Sequence, residues 1–240
     1  MRTKRILLSC SVAVTFGASF ANAVPLIANG TFELSTNGTN RQLSSSPIEA
    51  DNRSTLSGWT SSNGNDGGYN FVLDTSIITT SASAIGLKAY TATADHGQVF
   101  ASDALYYPGV LSQTVNGLTP GASYLLSFDY AMGQQAGFNG KNLDNYWQVG
   151  FGNASLKSGK LSLEDGGFTG WQSATMQFTS TSASQVLSFL AVGSSPGAPP
   201  FMLLDNVAME SAVPEPSTLS LLGGAVLAGL LARRRSRSKA

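Results

Sequence analysis

Tyr124, Leu126, Phe128 and Tyr130 recur at every second position, while Ser127 and Asp129 fall between them. A period of two sends the four large apolar side chains to one face of an extended segment, so the pattern predicts a half-buried β-strand over 123–131. Ahead of it stands Asn116-Gly117-Leu118-Thr119-Pro120-Gly121. Its two glycines accept positive φ and its proline cannot continue a ladder, so residues 111–115 read as a second strand joined to the first through this turn. Further alternating or continuous apolar runs lie at 71–74, 84–90, 146–151, 171–178, 185–192 and 201–209, separated by segments rich in Gly, Ser, Thr and Asn. No stretch of the body keeps a 3.6-residue period for three turns. The prediction is an all-β chain built as a single β-sandwich of jelly-roll type. Long loops are expected at 35–68 and 132–145, with another at 193–200, and loops of that length are functional or mobile.

The pattern changes at both ends. Residues 1–23 begin with Arg2, Lys4 and Arg5, continue through an apolar run over 6–20, and finish Ala21-Asn22-Ala23. This is the layout of a secretory signal peptide, with signal peptidase expected to cut between Ala23 and Val24. Cys10 is the one cysteine of the chain and lies inside that segment. The mature protein is therefore expected to have no disulfide, no thiol chemistry and no thiolate metal site. At the other end a linker over 211–216 contains Val213, Pro214, Glu215 and Pro216, and an apolar stretch over 219–232 precedes Arg233, Arg234, Arg235 and Arg237. Fourteen residues at 1.5 Å each span about 21 Å, short of the ~30 Å hydrocarbon core, so the flanks decide. A helix-restricting Pro-Glu-Pro before the stretch and snorkelling arginines after it predict a C-terminal membrane helix over 217–240, with the basic cluster on the cytoplasmic side. The stretch has no polar face, which excludes an amphipathic surface helix.

Charge sharpens this division. The 14 Lys+Arg and 14 Asp+Glu of the 240 residues cancel only in the precursor. Between Val24 and Val213 there are six basic and thirteen acidic residues, a balance of −7. Sparse, scattered lysines and arginines exclude a nucleic-acid-binding body, because phosphate contact needs them clustered. Charged residues make up 12% of the chain, about half the usual ~25%, and Ser, Thr, Asn, Gln and 26 Gly take their place. That is the surface of an exported β-rich protein. No internal repeat or second composition regime divides 24–210, which is read as one domain.

Two resemblances add to this reading. Val-Pro-Glu-Pro-Ser at 213–217, the short Leu/Gly/Ala-rich helix and the terminal arginines resemble the PEP-CTERM sorting signal of Gram-negative bacteria. The resemblance implies recognition by an exosortase and cleavage near Pro214 to Pro216. It further implies transient anchoring in the inner membrane, then delivery to the cell surface or to an exopolysaccharide matrix of the kind that builds biofilms. A second set of motifs runs along the body: Asn29-Gly30-Thr31-Phe32-Glu33, Ser57-Gly58-Trp59, Leu111-Ser112-Gln113-Thr114-Val115, Leu118-Thr119-Pro120-Gly121 and Leu203-Leu204-Asp205-Asn206-Val207. In that order they resemble galactose-binding-like jelly-roll domains and their carbohydrate-binding modules. That resemblance implies first and last strands lying close together, a glycan ligand, and a structural Ca²⁺ for which Glu33 and Asp205 are the carried-over candidates. Two carboxylates supply only part of the six to eight oxygens that Ca²⁺ takes, and the alternative is that both merely cap strands.

Catalytic chemistry is thin. His96 is the only histidine, next to Asp95, and no Gly-x-Ser-x-Gly elbow accompanies it, so it reads as a solvent-exposed loop residue. Several His or Cys ligands for zinc, a phosphate-cradling loop and a dinucleotide fingerprint are all missing from the body. Glu164-Asp165 precedes the turn Gly166-Gly167 and is expected to point apart, while a distant pair such as Glu49 with Asp129 is open to meeting in the fold. Sugar binding needs exposed ring faces beside amides and carboxylates. Trp59, Tyr69, Tyr106, Tyr107, Tyr146 and Trp147 lie near polar loops; Trp59 and Trp171 follow glycine and read as buried. Tyr106 and Tyr107, ahead of Pro108, are the better exposed candidates, and Trp147 is the third. Asn29, Asn37, Asn52 and Asn153 stand in Asn-x-Ser/Thr and read as turn residues. The resulting expectation is a non-catalytic exported protein that associates with exopolysaccharide or other glycans. Its alternatives are a glycan hydrolase with an unrecognised carboxylate pair and a structural adhesin that binds no sugar.

Overall fold

A computed structural model describes residues 25–45, 52–92, 95–193 and 197–212. The expected signal peptide, its cleavage site at Ala23 and Val24, Glu49, and the sorting tail from Val213 onward lie outside the described residues. Within them the chain forms thirteen strands. These are β1 (Arg41–Leu43), β2 (Arg53–Ser54), β3 (Thr60–Ser62), β4 (Asn70–Asp74), β5 (Gln98–Asp103), β6 (Val110–Asn116), β7 (Ser123–Gln134), β8 (Asn142–Phe151), β9 (Ala154–Lys157), β10 (Leu161–Leu163), β11 (Gln172–Thr179), β12 (Ser184–Val192) and β13 (Pro200–Ser211). A seven-stranded sheet has the order β11-β7-β13-β5-β4-β1-β2, and a six-stranded sheet the order β10-β8-β12-β6-β3, with β9 also paired to β8. Pairing is antiparallel except between β1 and β2. The fold is a single all-β sandwich, as the alternation predicts.

The period-two face of β7 points where the sequence puts it. Tyr124, Leu126, Phe128 and Tyr130 enter the core between the sheets, opposite Trp147, Val149, Phe151, Leu187 and Phe189 of the other sheet. Trp147 is 0% exposed, and its indole N–H donates across the sandwich to the Leu203 carbonyl at 3.1 Å. Burying a side chain of this size contributes roughly 1.5–3 kcal/mol. As a ligand-stacking candidate Trp147 is therefore corrected: its ring is part of the core.

The continuous apolar runs have a different cause. Segment 75–92, expected to hold a strand at 84–90, instead folds over the outer face of the seven-stranded sheet. There Ile78, Ile85, Leu87 and Tyr90 pack on Phe71, Leu73, Val99, Ala101, Ala131, Phe201 and Leu203 in a second core. β4, β5 and β13 are thus covered on both faces, so apolar residues at successive positions are all buried.

A second difference concerns the turn at 116–121. β6 and β7 are consecutive but lie in different sheets, so the connection is an arch and not a hairpin. Its backbone groups bond sideways to the β11–β12 connection: Leu118 N to Ala183 O at 3.1 Å, Gly121 N to Ser180 O at 2.7 Å, and Ser180 N to Ala122 O at 2.9 Å. Gly117 and Gly121 take φ of 78° and 83°, as the turn chemistry requires.

Candidate functional site

Strand registers collect the loops at two ends. Pro200 lies opposite Gln134, Phe201 opposite Asp103, Asn70 opposite Ser102, Val192 opposite Tyr146, and Ser62 opposite Val110. The loops at 63–69, 104–109 and 135–141, with Gly193 and residues 197–199, therefore emerge together at one end of the sandwich.

The 104–109 loop is shaped from its base. Asp103 closes β5, and its Oδ1 accepts the amide N–H groups of Leu105 at 2.9 Å and Tyr106 at 3.0 Å. Burial raises the Asp103 pKa, and these two amides act against that shift. Tyr107 sits at φ 51°, and its carbonyl accepts the Tyr69 N–H at 2.8 Å. The fully buried Asn70 donates to Gly109 O at 2.9 Å and to Ser61 Oγ at 2.8 Å, and Asn63 donates to Pro108 O at 2.8 Å. Gly68 comes so close to Gly109 that a Cβ on it would lie 2.7 Å from the Gly109 Cα. What leaves this scaffold is a pair of rings, Tyr106 at 66% and Tyr107 at 50% exposure. Tyr106 meets the half-buried Tyr69 edge to face at 5.1 Å. The Tyr69 pKa is raised by burial first, then by Asp103 and Tyr106.

The neighbouring loops are tied to this one. Ala104 N donates to Pro200 O, Gly193 N to Ala104 O and Gln135 N to Pro199 O, each at 3.0 Å. On the far side the exposed Phe138 and Asn139 stand beside the Lys141–Glu164 ion pair, and Asp165 accepts the Gly140 N–H at 2.9 Å. Glu164 and Asp165 are both exposed and reach the adjacent residues Lys141 and Gly140. The third candidate ring of the region, Tyr146, lies half-buried under Lys157, whose Nζ is 4.8 Å from the ring centroid.

A second polar cluster lies on the outer face of the seven-stranded sheet, and there the sequence reading of His96 is overturned. The imidazole is 5% exposed; Nδ1 is 2.7 Å from Asp205 Oδ2, Nε2 is 4.0 Å from Asp129 Oδ2, and the ring stacks on Trp171 at 3.8 Å. Asp129 is held by Ser173 Oγ at 2.5 Å and Asn206 Nδ2 at 2.9 Å. Burial pushes Asp205 up to about 6, while the bonds from His96 and the Asn206 amide act against the shift. The group facing Nε2 is a carboxylate and not a hydroxyl, so the constellation lacks the nucleophile of a Ser-His-Asp triad. No local signal marks it, since His96 and Asp205 are 109 residues apart in the chain.

The same contacts bear on calcium. Asp205 Oδ2 is taken by His96 and Oδ1 by the Asn206 N–H at 2.7 Å, while Glu33 Oε1 accepts the Gln98 N–H at 2.9 Å. Among the described residues no group of three or more His, Cys, Asp and Glu side chains is placed to hold a metal ion. A cation that takes six to eight hard oxygens would have to displace the imidazole, so the residues as arranged do not fit Ca²⁺. Chelation with EDTA is accordingly expected to leave the melting temperature unchanged within about 1 °C; a fall of several degrees, reversed by added calcium, would reinstate the ion.

Comparison with known proteins bears first on the tail. A profile of the PEP-CTERM protein-sorting motif matches residues 212–235. The chain carries that motif, which marks it as an exported protein sorted to the cell envelope. No curated protein matches the chain. Among solved structures, a TmCBM61 module in complex with β-1,4-galactotriose is similar at 14% identity, with 79% of this chain and 99% of that one covered and a TM-score of 0.41. A structure described as CBM4 has 14% identity, coverage of 77% and 99%, and a TM-score of 0.33. The CBM22-1 xylan-binding domain of Paenibacillus barcinonensis Xyn10C has 15% identity, coverage of 74% and 92%, and a TM-score of 0.32.

Proposed function

We propose that this is a non-catalytic glycan-binding protein, sorted by an exosortase through its C-terminal motif and retained at the cell surface or in an exopolysaccharide matrix. The observation that supports it is the pair of exposed rings at Tyr106 and Tyr107 on a loop whose base is fixed by Asp103, Asn70 and Asn63. Rings held in place before a ligand arrives lose little conformational freedom when a pyranose stacks on them. Amides and carboxylates for sugar hydroxyls stand on the adjoining loops, at Asn139, Asp165 and Glu164.

Replacing both Tyr106 and Tyr107 with Ala is expected to weaken binding to a bacterial exopolysaccharide, or to the best ligand on a glycan array, by roughly ten- to hundredfold, each ring supplying about 0.7–1.4 kcal/mol. Thermal stability should hardly move, because both rings face solvent. Undiminished binding by the double variant would show that the sugar sits elsewhere. Glycan breakdown by the unaltered chain would replace the reading with that of a hydrolase.

A further inference from the structure

The end of the sandwich opposite the tyrosine loop is where the chain enters and leaves. Ser211 is paired with Tyr124, and the Ala212 N–H donates to the Ser123 carbonyl at 2.8 Å, so the last described residue is still fixed in the sheet. The sorting motif begins at that same residue, 212. Four residues, about 14 Å of fully extended chain, are all that lie between Ala212 and the end of the Pro-Glu-Pro sequence. An enzyme that reads this sequence therefore meets the folded body as well as the tail.

The body has a face there suited to such a contact. A cavity of about 390 Å³ opens between Pro25 and Leu26 on one side and Thr119, Met209, Glu210 and Ser211 on the other. The surrounding segments 25–28, 116–121, 152–153, 180–184 and 209–212 contain one charged residue, Glu210, in a body whose balance is −7. Loss of charge is what marks the centre of a protein–protein interface. We propose that this end is a docking face for the sorting enzyme, which acts on the folded sandwich seated against it and not on a free tail. The inference rests on the sorting half of the proposed function and is independent of the glycan half. The short spacing brings the enzyme against this face, and its single charge keeps the desolvation cost of docking low.

The test follows processing of the full chain in a host that expresses the enzyme, read as loss of the tail over time. Exposed Thr119 and Ser182 are changed together (Thr119→Glu, Ser182→Glu), with or without a 12-residue Gly/Ser insertion between Ala212 and Val213. A control pair, Asn65→Glu with Ala136→Glu, marks the opposite end at exposed residues outside the proposed glycan site. Charges placed in the docking face should slow processing roughly tenfold at native spacing. The insertion should restore the rate, and the control pair should process like the unaltered chain. Melting temperatures within a few degrees of the unaltered chain show that the variants fold. Processing of the folded face variant at the normal rate overturns the proposal, as does a defect that the insertion leaves in place. An unaltered chain that is never processed removes the sorting reading itself, a result distinct from both.

Discussion

His96→Ala is expected to cost about 3–5 kcal/mol of stability, the usual result of removing one partner from a buried ionisable pair. For a chain of this size that is a fall in melting temperature of roughly 10 °C or more. The Asp205 side chain is 2% exposed, and without the imidazole it keeps only the Asn206 N–H. The ring also joins three elements: it lies on the segment entering β5, bonds to β13, and stacks on Trp171 just ahead of β11. Adding Asp205→Asn to His96→Ala should recover part of the loss, because no charge is then left buried. Equal melting temperatures for the unaltered chain and His96→Ala would refute the role. The pair also predicts a pH dependence with a definite sign. Asp205 has its folded pKa raised from 3.8 to about 6, so between those values the folded state holds more protons than the unfolded one. Its contribution is fully present below about pH 4 and is lost as pH rises through about 6, a change of about 3 kcal/mol by order of magnitude. Asp205→Asn should lack that decline, so the stability difference between the two proteins should shift in favour of the variant from pH 4 to pH 7. A difference independent of pH would show that Asp205 does not titrate in this range.

The parts of the fold legible in the sequence are those decided by local pattern. Tyr124 to Tyr130 alternate, and β7 is half-buried; the runs at 146–151, 185–192 and 201–209 fall inside β8, β12 and β13. Alternation reports which face of a strand is buried but says nothing of which sheet the strand joins. Residues 111–115 and 123–131 thus read correctly as strands and gave no sign that their connection is an arch. The run at 84–90 shows the converse limit. Its apolar residues are buried, as their composition demands, yet Ile85, Leu87 and Tyr90 reach the core from a covering loop whose pairing is one isolated bridge, Leu87 to Gln135. β5 escaped notice because Gln98 to Asp103 has neither strict alternation nor a long apolar run; burial on both faces, contributed by segment 75–92, makes it a strand.

Of the candidate site, exposure was legible where a local cause fixes it. Tyr106 and Tyr107 stand before Pro108 in a loop that the carboxylate of Asp103 turns outward. Trp147 belongs to a clear strand, and its parity with Val149 and Phe151 places it in the core, a consequence that its nearness to a polar loop obscured. His96 was illegible for another reason. A polar residue in a polar segment reads as exposed, and only the tertiary approach of β13 and β7 supplies the two carboxylates and the indole that bury it.

Replacing Pro214, Glu215 and Pro216 together with Ala should abolish sorting, an all-or-none effect at the level of the cell. The matched motif spans 212–235 and includes all three residues as well as Arg233, Arg234 and Arg235. Charge gives a direct readout. From Val24 to Ala240 there are eleven basic and fourteen acidic residues, a balance of −3; with the tail gone the balance is near −7. The processed protein should therefore focus at a distinctly more acidic position than its tailed precursor, and it should be recovered without detergent. The triple variant should stay at the less acidic position and fractionate with membranes through its apolar stretch. Because Ala212 is held in the sheet by Ser123, the substitution begins two residues beyond the last described residue, and thermal stability should be unaffected. A triple variant that focuses and fractionates like the processed chain would show that the Pro-Glu-Pro sequence is not what the enzyme reads. A wild-type chain found only at the less acidic position would show that the tail is a permanent anchor. The retained tail would then hold the sandwich by the end that carries Ser211, with Tyr106 and Tyr107 about 40 Å away at the far end of the 12-residue strands β7 and β13.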